Sequence, residues 1–557
     1  MQHEERTTTL YSHHIFLFPF KWKADKSVKD LRPLLEKSWK RQTGFDLKTI
    51  SDYNEYNYFY DFVRPILYDL DDSSLAEKKQ DDTYLDHYVH LLPKVNGVVP
   101  KENRIYHIEV KDKTYELNVD ANGILLHLYS SGVGVLSFHL SNRKEDQATL
   151  PDILAINQYG RRIFPPFFTI PSEKIGYQSA FDYSNFEEGF EKSQGNELAH
   201  AIWIGDDTNK EDFKKYKQPE HFKKKPFQLP SFISNLFPPG FLSSETITDS
   251  FKIFPVLDDR MFVICWYGDD GLTEELKKPK QLPLLEIKSQ KKLAEILLRE
   301  KPEYGYLTNP HWYEYIFVDK YNGKSCQNDE QTIELLRGAT NARWGNYGTF
   351  YGASRYSFVC LTPTYASLKE YNFVIHHVQT LYYKMVELVL LQRACLLHFS
   401  DKVTAISSKL GINEERLSED VSDLYQEYIR FVNKIYFREV TAQDQGIELY
   451  NLLQAQMNIA ENVTALDGEI KELHDYVSLK EEKRRNDTLD KIAKWGAAFA
   501  VAGLIISFFG MNYFGGDSIL LSPTSTWANG HQVISVVIVL VFSLAAAFYS
   551  YGKFTKK

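Results

Sequence analysis

The 557-residue sequence predicts a mixed α+β or α/β region, followed by a helical hairpin, a long stalk helix and a two-helix transmembrane end. Three observations carry that prediction. Twenty of the 21 prolines lie between Pro19 and Pro363, and none falls between Thr364 and Ser522, so the later part is free to be continuous helix. Within it runs an apolar seam at alternating steps of three and four residues. Two charge-free windows then close the chain.

Residues 1–363 alternate short aromatic and β-branched runs with Pro, Gly, Asp and Asn. Candidate strands are Ile105–Val110, Gly123–Ser130, Gly132–Leu140, Met261–Tyr267 and Arg355–Thr362, each bounded by turn residues. Helical patterns such as Lys291–Arg299 are interspersed, and the topology is left open. A polar, proline-rich stretch from about Asp206 to Pro239 divides the region into two lobes, residues 1–240 and 241–363.

Residues 364–446 read as helices. The first spans about Ala366–Leu410, with Gly411 as a left-handed terminator and Asn413 as the next N-cap. The second runs to about Val440, and the acids Glu414, Glu415, Glu419, Asp420 and Asp423 suit its N-terminal turns. The stalk, residues 447–491, carries Leu449, Leu452, Ile459, Val463, Leu466, Ile470, Leu473 and Val477, with Gln456 as a gap. This heptad seam serves either an intramolecular coiled coil with the preceding helices or a stalk packed against copies of the chain. One helix from about Ile447 to Phe509 is expected, approaching ~95 Å at about 1.5 Å per residue.

Trp495–Met511 and Val533–Tyr549 contain no charge. Each covers roughly 26 Å as helix, and Ile492, Ala493 and Gln532 extend them toward a ~30 Å hydrocarbon core. The expected spans are residues 492–512 and 532–550, joined by an external loop, 513–531. Lys480, Lys483, Arg484, Arg485, Lys491 and Lys494 precede the first, and Lys553, Lys556 and Lys557 lie in the tail, 551–557. The loop has no Lys or Arg. The positive-inside bias therefore places both termini in the cytoplasm.

At the end of the first window stands Gly510-Met511-Asn512. This arrangement resembles the CorA family of divalent-cation channels and transporters, in which a cytosolic domain leads through a stalk helix into a first span ending in GMN. The likeness covers about residues 364–557. It implies a homo-oligomer, usually a pentamer, in the plasma membrane, with Mg²⁺ or another divalent cation as transported and regulatory ion. It also implies Gly510, Met511 and Asn512 as the selectivity filter. The chemistry is sensible: a ring of neutral carbonyl oxygens accepts hydrogen bonds from the water shell that Mg²⁺ gives up reluctantly. Helical steps back from Asn512 give Ser507, Gly503, Ala500 and Gly496, a stripe of small residues that either lines the pore or lets helices pack closely. Ile492 and Leu489 are the expected constriction below it. Asp517 is the loop's only acid, and the acidic, proline-containing segment common after GMN in the family is missing.

The soluble region is about double what a minimal cytosolic domain needs, so an added sensor is expected. Between Leu336 and Pro363, Arg337, Arg343, Trp344 and Arg355 stand among glycines and aromatics, a composition for holding phosphate and stacking a base or for a structural loop. Lys214, Lys215, Lys217, Lys223, Lys224 and Lys225 form a second basic patch, either a solvated face or a ligand or lipid contact. CorA-like proteins with enlarged soluble domains include effectors of type III CRISPR defence. That resemblance implies the alternative of a pore opened by a nucleotide second messenger such as an S-adenosylmethionine–AMP conjugate. A net charge of −9 argues against general DNA or RNA binding. The four cysteines are widely spaced, giving neither a zinc site nor a disulfide framework. The histidine pairs His13–His14, His87–His90 and His376–His377 read as satisfied or exposed. No nucleophile–base signature points to an enzyme.

Overall fold

The computed structural model describes residues 9–23, 28–68, 85–92, 99–164, 168–169, 194–195, 199–207, 210–213, 229–239, 241–242, 251–257, 259–278, 304–368, 372–410 and 414–513, with 538, 541, 542, 545 and 549. The expected helix at Lys291–Arg299, the lysine patch at 214–225, Gly411 and Asn413, and Asp517 with residues 514–531 all lie outside the described residues. So do the basic tail and all but five positions of the second apolar window.

The strands are β1 (Ser12–Lys23), β2 (Trp39–Gln42), β3 (Leu85–His90), β4 (Ile105–Val110), β5 (Lys113–Tyr129), β6 (Val133–Asn142), β7 (Phe168–Thr169), β8 (Gln194–Gly195) and β9 (Ala201–Ile204). Then follow β10 (Glu211–Asp212), β11 (Lys252–Pro255), β12 (Phe262–Gly268), β13 (Thr340–Asn341), β14 (Phe350–Ser354) and β15 (Ser357–Thr362). Thirteen of them form one sheet in the order β10-β9-β4-β5-β6-β1-β12-β15-β14-β13, with β11 beside β1, and β2 joined through β3 to β5. The expected division at residue 240 therefore runs through a single sheet. Strand β1 pairs with β6 from the first half and with β12 from the second.

β1 carries Pro19 although it lies in the sheet's middle, where proline is normally excluded. Its partner changes at that point: Ser12–Leu17 pair with β12, and Phe20–Lys23 pair with β11. The Pro19 carbonyl accepts from the Val256 amide at 3.1 Å, so the missing N–H faces the gap between the two partners. Phe16, Phe18 and Phe20 alternate onto one face, opposite Phe138, Leu136 and Gly134 of β6. A Cβ at Gly134 would stand 2.4 Å from the Phe20 ring; glycine is what admits that ring.

The helices are α1 (Val28–Leu35), α2 (Ile50–Tyr58), α3 (Arg64–Tyr68), α4 (Leu150–Gly160), α5 (Ser231–Ser234), α6 (Asp270–Lys277), α7 (Pro310–Phe317) and α8 (Asp329–Ala339). After the sheet come α9 (Tyr365–Leu368), α10 (Phe373–His377), α11 (Tyr383–Ser407), α12 (Glu414–Lys434), α13 (Asp444–Gln456) and α14 (Ile459–Tyr513). Local signals set several starts. Asn309 accepts from the His311 and Trp312 amides ahead of Pro310 in α7, and Asn328 accepts from the Gln331 amide to start α8. The apolar face of the sheet is buried with Ile153, Ile156, Trp312, Tyr315, Ile316 and Leu336 from α4, α7 and α8.

The helical part departs from the expected single helices. Over the expected first helix the described parts are α9, α10 and α11, with α10 passing into α11 through a π turn at Val378–Tyr382. The stalk does not begin at Ile447: α13 ends at Gln456, and Asn458 takes the left-handed conformation with φ 51° before α14 starts. Asparagine tolerates that conformation, and its carbonyl then accepts from the Asn462 amide at 3.1 Å. The break falls beside Gln456, the gap in the heptad seam.

The chain divides into two compact units, Met1–Ala405 with Leu424–Asp467, and Ile406–Asp423 with Gly468–Lys557. In the first, the Tyr428 hydroxyl of α12 donates to the Val463 carbonyl of α14 at 3.2 Å. In the second, Ser418 of α12 bonds Glu481 of α14. Leu466, Ile470, Leu473 and Val477 are buried, as are Leu417, Val421 and Leu424. Within the chain α12 and α14 thus run antiparallel along the seam. Counted over the described residues, no helix is long and apolar enough to cross a membrane. The side chains of Ile505, Ile506 and Phe508–Tyr513, which complete the first apolar window, are outside the described residues.

Candidate functional site

The expected filter lies on the last turn of α14, a helix of 55 residues. Gly510, Met511 and Asn512 are helical, and their side chains are outside the described residues. Gly496, Ala500, Gly503 and Ser507 are exposed along the helix, as are Leu489 and Ile492. Larger apolar groups are equally bare: Phe499 is 60% and Leu504 72% exposed. Ala498 and Ala502, one turn apart, are buried. Phe499 and Leu504 make this stretch of the helix an exposed apolar patch.

The four residues singled out for an anionic ligand do not converge. Arg337 is exposed in the last turn of α8. Arg355 is exposed in the β14–β15 turn, where its carbonyl accepts from Arg393 at 2.6 Å. Arg343 and Trp344, between β13 and β14, instead reach α13. The Arg343 guanidinium pairs with Glu448 and, at 3.4 Å, with Asp444. The Trp344 indole N–H donates to Gln445 at 2.9 Å, and the Asn341 amide donates to Glu448 at 2.9 Å.

The segment leading into α13 is tied down too. Thr441 donates to the Tyr58 carbonyl of α2, and the Tyr60 amide donates to the Val440 carbonyl at 3.0 Å. Gly446 lies so near Tyr58 that a Cβ would stand 2.5 Å from the phenol oxygen. Facing inward, the buried Gln392 of α11 donates to the Tyr450 hydroxyl at 2.9 Å, and Tyr450 donates to the Phe437 carbonyl at 2.8 Å. Beyond α13 comes the Asn458 break. Nothing in the sequence linked Arg343 to Glu448, 105 residues away.

A second polar feature lies on the sheet face beneath α11. Tyr383 meets Ser137 at 3.2 Å and stands edge-on to His139, with ring centroids 4.4 Å apart. Glu387 pairs with His127, whose ring stacks on His87. Further along, His13 bonds Asp120 at 2.8 Å, and Ser141 donates to the same carboxylate at 2.6 Å. His13 Nδ1, His87 Nε2 and His139 Nε2 are buried without a hydrogen-bond partner among the described residues. Burial above all lowers His139 to about 3 and holds His87 well below the ordinary imidazole range. The alternation Ser137-Phe138-His139-Leu140-Ser141 is the sequence signal for this seam, since every second residue shares a face.

Cys265, His14 and Asn157 bring thiol, imidazole and amide together: Cys265 Sγ is 3.4 Å and Asn157 Oδ1 2.7 Å from His14 Nδ1. Both contacts fall on the same nitrogen, so the ring cannot relay a proton between them. Burial pushes the thiol up to about 12 and the imidazole down to about 3. A neutral thiol beside a neutral imidazole, both sealed from solvent, is not an activated nucleophile. Among the described residues no group of three or more His, Cys, Asp or Glu side chains is arranged to hold a metal ion. Compared with protein-family models, curated proteins and solved structures, the chain matches none of them.

Proposed function

We propose that the chain forms a homo-oligomeric, CorA-like cation channel or transporter of the plasma membrane, passing divalent cations of the Mg²⁺ type and controlled through its enlarged α/β region. The observation that carries this reading is α14. It begins at the buried Ile459, continues unbroken for 55 residues through Gly510-Met511-Asn512 to Tyr513, and carries bare apolar side chains at Phe499, Val501 and Leu504. A helix that is polar and paired toward one end and bears exposed apolar side chains toward the other suits a passage through lipid. Several copies side by side would bury Leu504 and Phe499 against lipid or neighbours, with Asn512 on the inner face. There the asparagine carbonyls would accept hydrogen bonds from the ion's water shell. Both termini face the cytoplasm in this reading, which the lysines and arginines between Lys480 and Lys494 favour.

Reconstitution in liposomes tests it. Mg²⁺ or Co²⁺ influx is expected from the full chain, with at least a tenfold loss in Asn512→Ala. Flux that Asn512→Ala leaves unchanged would overturn the assignment of the filter, and no flux at all would overturn the channel.

A further inference from the structure

α13 is gripped unevenly. Its inner face is fastened by buried hydrogen bonds through Tyr450 and Gln392. Its outer face is fastened by a pair open to water: Arg343 is 36% and Glu448 40% exposed. Exposed ion pairs contribute little net stability and are screened by salt, so this contact adds little to holding the fold together. It does fix where α13 sits relative to the β13–β14 loop. One residue past the end of α13, Met457 gives way to the left-handed Asn458, where the helical ladder is interrupted. Toward the β13–β14 loop α13 is thus held by side-chain contacts at the surface, and it is followed by a break.

We propose that the contact of Arg343 and Trp344 with Asp444, Gln445 and Glu448 is a regulatory latch. When closed, it pins α13 to the β13–β14 loop. When open, α13 turns about the Asn458 joint and alters conduction at the far end of α14. The latch therefore rests on the channel reading. The assignment differs from a ligand site: the Arg343 guanidinium is already occupied by two carboxylates, and the Trp344 indole by an amide oxygen. Whatever releases the latch must compete with those partners or screen them.

Charge reversal and rescue in the full chain reconstituted in lipid tests this, with hydrogen exchange of residues 444–456 and Mg²⁺ flux read on the same samples. Arg343→Glu and Glu448→Arg singly are expected to speed amide exchange in α13 at least fivefold and to change flux at least threefold. The double variant Arg343→Glu/Glu448→Arg should return both toward wild type. Exchange that ignores the single reversals overturns the latch. So does a conducting wild type whose flux does not respond to them, which leaves the channel reading standing. A wild type without flux overturns the channel reading and the regulatory role with it, while the exchange data still report whether the pair holds α13.

Discussion

The rings of His87 and His127 stack with centroids 3.9 Å apart and planes 27° apart, on paired strands beneath α11. Burial first, and the neighbouring His127 ring second, disfavour a proton on His87. Burial is the main cause of the lowered values at His87, His139 (to about 3), His14 (to about 3) and His90 (to about 4). In the unfolded chain each returns to about 6.5. Because the folded-state values are the lower ones, the unfolded chain binds more protons below that pH. Stability is therefore full above about pH 6.5 and is lost as pH falls toward 4. Thermal unfolding in detergent, followed between pH 7.5 and 5, should show a fall on the order of a few kcal/mol. His87→Gln/His139→Gln should flatten that slope.

Asp86 has no solvent exposure, and it accepts from Nε and Nη2 of Arg32 at 2.8 Å each, from the Tyr88 hydroxyl at 2.9 Å, and pairs with Arg41 at 3.1 Å. Asp86→Asn leaves two guanidinium groups without their shared counter-charge. A loss of roughly 3–5 kcal/mol is expected, measured as a drop in unfolding temperature. A change below 1 kcal/mol would contradict the buried pairing.

Gly446→Ala should destabilise the α13 region by about 1–3 kcal/mol, the usual range for overpacking. The added methyl would meet the Tyr58 hydroxyl oxygen at 2.5 Å. Tyr58→Phe removes that oxygen and should recover part of the loss. Equal unfolding temperatures for Gly446→Ala with and without Tyr58→Phe would place the clash elsewhere.

Of the four cysteines, Cys326 alone is partly exposed. Burial pushes Cys265 and Cys395 up to about 12 and raises Cys360 well above the ordinary thiol range. One thiol per chain should react with a polar disulfide reagent in the native state, and four after denaturation. Rapid native labelling lost only in Cys326→Ser completes the check.

Strands with clear apolar runs were legible in the sequence. Ile105–Val110 is β4 residue for residue, and Met261–Tyr267 is β12 within one position. The central strand β1 was not, because Pro19 and the paired histidines disguise it. Only the change of partner from β12 to β11 makes that proline harmless, and a partner change is a tertiary fact. The coiled seam at Leu466–Val477 was legible as a seam, but its partner was not: a heptad records which face is buried, not whether the cover comes from α12 or from another copy. The Arg343–Glu448 contact was invisible for the same reason. Arginine among glycines suits a phosphate or a carboxylate equally, and only the fold selects which acid arrives.

The position of β1 also sets the order in which the protein can be completed. Its Ile15–Phe20 stretch, among the most oily on the sheet, acquires one neighbour from β6 early in synthesis. The neighbour on its other edge, β12, leaves the ribosome only after about 120 more residues, several seconds at roughly 5–20 residues per second. Until then a nearly finished half-sheet carries an open, sticky rim. Truncated products ending before Phe262 should clump, and chaperones should linger on the nascent chain over that interval.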